Sequence, residues 1–87
     1  MAFAKLFETE KHGQILVKLD EGIDSIAEVR FYVEPPHLGV CSFAVGFNSE
    51  DDAWEQAAEM LAKIDEEVAI EAIEGLLAIA SPLAPKN

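Results

Sequence analysis

The hydrophobic period of this chain changes once, near Asn48, and that change limits the folds open to it. Before it, apolar residues alternate with polar ones. Ile15, Val17 and Leu19 share one side of a run that has Gln14 and Lys18 on the other. Ala27, Val29, Phe31 and Val33 oppose Glu28, Arg30, Tyr32 and Glu34, and Cys41, Phe43, Val45 and Phe47 oppose Ser42 and Ala44. Period-two alternation rich in β-branched and aromatic residues marks half-buried antiparallel strands. A shorter run, Phe3 to Glu8, reads as a first edge strand. After Asn48 the apolar residues return at helical spacing, as Trp54, Ala57, Leu61, Ile64, Val68, Ala72, Leu76 and Ile79.

Turn residues fall between these runs. Glu10-Lys11-His12-Gly13, the stretch Asp20 to Ser25 with Gly22, and Glu34-Pro35-Pro36-His37-Leu38-Gly39 each interrupt a ladder. Gly admits positive φ, and Pro fixes φ while removing a donor. The spacing predicts an α+β fold, a meander of three to four antiparallel strands packed by one long C-terminal helix, in the order β-β-β-β-α. Asn48 or Ser49 is the expected N-cap, with acids in the first turn, and Ser81-Pro82 the expected stop. At 87 residues the chain has room for one core. Residues 1–81 are expected to form it, with 82–87 as a loose tail.

Charge is concentrated in the helical half. Residues 1–48 carry 7 acids against 4 bases, and residues 49–75 carry 10 acids against Lys63 alone, within a net charge of −11. Nucleic acids and anionic lipids are bound through Lys and Arg, so direct binding to either is not expected. A basic host protein is the electrostatically natural partner, and the alternative is that the acid confers solubility and binds nothing. Apolar residues at 51% are too many for a disordered acidic tail. No run reaches the 18 or so apolar residues of a membrane span, and the start of the sequence is too acidic for a secretory signal. The single cysteine excludes an internal disulfide and fits a reducing cytoplasm.

One stripe does not fit a helix lying on a sheet. Opposite the expected core line, Asp52, Glu55, Glu59 and Glu66 form a solvated ridge; further along, the same side carries Ile70, Ile73 and Leu77. A helix from Glu50 to Ala80 would run about 46 Å, against about 26 Å for an eight-residue strand. Such a helix overhangs the sheet or breaks, at Asp65-Glu66-Glu67 or at Gly75. The favoured reading pairs Ile70, Ile73 and Leu77 with their copies in a homodimer built on the C-terminal helix. The alternatives are a bend that folds them back onto the sheet and a groove for another protein's helix.

The sequence holds no catalytic set, so no enzyme activity is expected. His12 and His37 lie in turns without convergent ligands, and no cofactor or metal is expected. Cys41 falls at an inward strand position, where it acts as a small hydrophobe. The carboxylate pairs Asp20-Glu21, Asp51-Asp52 and Asp65-Glu66-Glu67 sit in turns, caps or the solvated helix face. No phosphate-binding glycine loop, nucleophile elbow or zinc-protease motif occurs. Trp54 reads as core and Tyr32 as a cross-strand packing residue.

The size, the acidity and the order of strands then helix resemble those of small bacteriophage and mobile-element proteins, including some anti-CRISPR inhibitors. The resemblance lies in composition and element order, and no site residue is carried over from it. The sequence thus points to a small non-enzymatic protein acting through protein–protein contacts, a homodimeric accessory module of bacterial or phage origin. The alternative is an inhibitor or nucleic-acid mimic. Its acidic face (Asp51, Asp52, Glu55, Glu59, Glu66, Glu67, Glu71 and Glu74) would occlude a basic surface.

Overall fold

A computed structural model describes residues 3–80. Four strands, β1 (Ala4–Thr9), β2 (Gly13–Glu21), β3 (Ala27–Val33) and β4 (Cys41–Phe47), form one antiparallel sheet in the order β1-β2-β3-β4. The alternation sets the register. Phe7, Ile15 and Val33 align across the first three strands, and Val17, Phe31 and Phe43 across the last three. The ring of Phe31 stacks on that of Phe43, with centroids 4.7 Å apart.

Each turn satisfies its own backbone. Thr9 Oγ1 donates to the Gly13 carbonyl at 2.8 Å and accepts from the His12 amide at 3.0 Å, while Gly13 takes a φ of 67°. In the β2–β3 turn, a Cβ on Gly22 would lie 2.0 Å from Ser25 Oγ, so only glycine lets the chain pass.

Two helices follow where one was expected: α1 (Ala53–Lys63) and α2 (Glu66–Ala80). The chain leaves α1 at Ile64 in an extended conformation (φ −82°, ψ 117°). Asp65 then accepts from the Val68 amide at 2.9 Å and starts α2 as its N-cap. The break therefore falls at Ile64-Asp65, and Gly75 stays inside a continuous helix. A cation holds the junction. Lys5 of β1 reaches across and donates to the carbonyls of Ile64 (2.9 Å) and Ala62 (3.2 Å), where the end of α1 leaves acceptors unpaired.

The expected cap also moves. The Ala53 amide donates to the Ser49 carbonyl at 2.9 Å, closing a turn over residues 49–52. Asp52 is the N-cap and makes no side-chain cap bond. The expected stop at Ser81-Pro82 and the expected tail at 82–87 lie outside the described residues.

Both helices cover one face of the sheet. α1 starts where β4 ends, packs over β4, β3 and β2, and finishes beside Lys5 of β1. α2 returns over β1, β2 and β3 to the β1–β2 turn, where Lys11 donates to Glu74 at 2.8 Å. The core is Ile15, Val17, Leu19, Ala27, Val29, Phe31 and Val33 from the sheet, met by Ala53, Ala57, Leu61, Ile64, Ala69 and Ile73.

The core line differs from the expected one. Trp54, Val68 and Ile79 are 44%, 41% and 68% exposed. One uninterrupted screw through Val68 cannot describe two helices, because the extended Ile64 resets the phase. On α1 the small Ala53 and Ala57 face the sheet, letting the helix sit close to the large side chains of β3.

Candidate interaction surfaces

The stripe expected to join two copies is part of the chain's own core. Ile73 is 0% exposed and belongs to the cluster against the sheet, with Ile70 and Leu77 packed partly buried beside it. The bend at Ile64-Asp65 turns them inward, so Ile70, Ile73 and Leu77 are not an open interface. The physical reason is length. Two helices of 11 and 15 residues each fit within the sheet, whereas one helix of the combined length overhangs it.

The acids stand where the sequence placed them on the surface. Asp51, Asp52, Glu55, Glu59, Glu66, Glu67, Glu71 and Glu74 are all exposed. They do not form one ridge, because the bend divides them between two helices and the turn before α1. Glu74 alone among them is paired in the described structure. Its carboxylate accepts from Lys11 at 2.8 Å and lies 3.3 Å from His12 Nε2. Lys11 first, then His12, holds this carboxyl below the usual glutamate range. His12 is thus no idle turn residue: its side chain is 10% exposed and ties the β1–β2 turn to α2.

The bare face of the sheet is different in kind. Leu6, Leu16, Tyr32 and Ser42 align in one cross-strand row, with Tyr32 packed as expected. Lys18 and Arg30 oppose each other in the next row, and Asp20 opposes Glu28 beyond it. Like charges placed opposite destabilise a sheet, and a bond along β3 relieves them. Arg30 donates from Nε and Nη2 to the carboxylate of Glu28, which is only 5% exposed. Arg30 also donates to Ser42 Oγ at 3.2 Å, and the Ile23 amide donates to Glu28 at 3.3 Å. The Arg30 bond chiefly holds the Glu28 carboxyl below its ordinary range, although burial pulls the other way. The pair explains itself as a clamp on the β2–β3 turn.

His37 is exposed in the β3–β4 loop with a φ of 68°, and Cys41 is half-buried on the helix side of β4. Among the described residues no three His, Cys, Asp or Glu side chains gather as a metal site would require. Likewise no described helix is long and apolar enough to cross a membrane.

Sequence reasoning missed the corner over β4. Because α1 and α2 diverge from their junction, the wedge between them opens towards that strand. One groove runs between Phe47, Met60, Ile64 and Val68 and is lined also by Gln56, Glu59 and Lys63; a second runs between Phe43, Ala72, Leu76 and Ile79 beside Glu71. Phe43 and Phe47 are only partly buried, although Phe31, which faces Phe43 on β3, is 2% exposed. No local signal in the sequence marks it, because the corner opens only once the helix breaks at Ile64-Asp65.

No family model matches the chain, and neither a curated protein nor a solved structure does.

Proposed function

We propose that this chain is a small acidic, non-enzymatic cytoplasmic protein that acts through protein–protein contacts, as a homodimeric accessory module of bacterial or phage origin. The observation that carries this reading is the division of its surface. Ten exposed carboxylates stand on the helical layer and the turn leading into it, with Lys63 as the one base among them. Part of the exposed apolar surface, Val45, Val68 and Ile79, lies on β4 or in the two grooves beside it. An acidic layer attracts a basic protein surface by long-range steering, and an apolar corner supports a tighter, salt-resistant contact.

A second reading has its own support. Carboxylates spread over two helices and largely without cationic partners are what a nucleic-acid mimic presents to a basic groove. In that reading the protein is an inhibitor of a nucleic-acid-binding host protein, and the class resemblance to anti-CRISPR inhibitors points the same way.

The test is capture of tagged protein from a host lysate, with and without Glu55→Lys, Glu59→Lys and Glu66→Lys together. These positions are exposed, so the fold is expected to survive the change. A basic protein that is held by the wild type, released by salt and lost with the triple variant supports the acidic face as the binding surface. Equal capture by the triple variant contradicts it.

A further inference from the structure

We infer that the edge of β4, unpaired among the described residues, is where two copies of this chain join, strand against strand, into one continuous eight-stranded sheet. The inference rests on the self-association part of the proposed function and supplies the surface for it.

The two edges of the sheet are unlike. β1 carries Lys5 and Glu8, charges of the kind that block edge pairing, and Lys5 is engaged with the end of α1. β4 reads CSFAVGF, with no charge and no proline along seven residues. An uncharged, regular edge is a template for another strand, and natural folds seldom leave one open.

The occupant that fits is a second copy. Two chains of net charge −11 repel, so contact is favoured where neither presents acid, and β4 is such a place. The strand is also self-complementary. Antiparallel pairing about Ala44 sets Phe43 beside Val45 of the second copy, both on the helix side. It sets Cys41 beside the second copy's Phe47. One two-fold axis thus pairs the uncharged β4 edges of both copies.

The test is a cysteine placed on that axis. Facing Cα atoms in an antiparallel pair lie about 4.5–5.5 Å apart, within the span of a disulfide. In a Cys41→Ser background, Ala44→Cys is expected to give a disulfide-linked dimer on mild oxidation, and Leu6→Cys on exposed β1 is not. Ala44→Glu is the companion variant. Ala44 faces Arg30 within the chain, so the fold keeps a cation beside the new carboxylate. Two copies would bring like charges together, weakening dimerisation about tenfold or more. A wild-type dimer whose mass is unmoved by Ala44→Glu, and which does not link through residue 44, overturns the β4 edge while leaving self-association standing. A wild-type monomer at every concentration overturns both. A foreign extended peptide that binds β4 of a monomer would then be the occupant.

Discussion

Single side chains do much of the work of joining the two layers. Lys5 connects the first strand to the last turn of α1, across 59 positions of sequence. A cation at a helix C-terminus meets the unpaired carbonyls and the negative end of the dipole. Lys5→Met keeps the aliphatic stem and removes the charge, and is expected to cost about 1–2 kcal/mol in urea unfolding. An unchanged midpoint would show that water serves those carbonyls equally well. Glu28 carries a pH signature. Its folded carboxyl lies below the ordinary range, so its contribution is complete above that range and is lost as pH falls through the folded value. Glu28→Gln is expected to be less stable than wild type by about 1–2 kcal/mol at neutral pH. The gap should close as pH falls below about 4. A gap independent of pH would mean that shape, not charge, holds the β2–β3 turn.

At the scale of elements, the strands were legible because their signal is local. Each alternating run became a strand, and each Gly or Pro cluster a turn. The helical half was legible in period but not in phase. A continuous 100° screw through Val68 buried Trp54 and Ile79 and exposed Ile73, the reverse of what the break produces. The clue was present in Asp65-Glu66-Glu67, an N-cap followed by acids in a first turn, directly after Ile64, the residue that caps α1. Which of two apolar lines faces the sheet depends on packing between distant elements, and local pattern does not carry that. The corrected phase changes the meaning of one variant. Ile73→Glu places a carboxylate among buried apolar groups and should lose the cooperative fold, as seen by circular dichroism. A folded variant would restore Ile73 to the surface. Gly75 is exposed inside α2, and a Cβ there meets nothing within 4 Å. Gly75→Ala is therefore expected to stabilise the chain by about 0.5–1 kcal/mol, and thermal melts would reveal any loss instead.

The molecule as a whole separates its two kinds of surface. Acid covers the helices, Val45, Val68 and Ile79 leave apolar surface at β4, and the bases Lys18 and Arg30 stay on the bare face of the sheet. This arrangement lets one chain pair with its copy through an uncharged edge while holding a negative layer outward for a different partner. The two contacts respond oppositely to salt. Screening relieves repulsion between two acidic copies and strengthens their pairing, whereas it weakens attraction to a basic protein. Sedimentation equilibrium of the untagged chain, from micromolar to millimolar and from low to high salt, tests this most directly. A species of twice the 9.5 kDa chain mass, favoured as salt rises, is expected. A 9.5 kDa monomer throughout, or a dimer dissolved by salt, would contradict it.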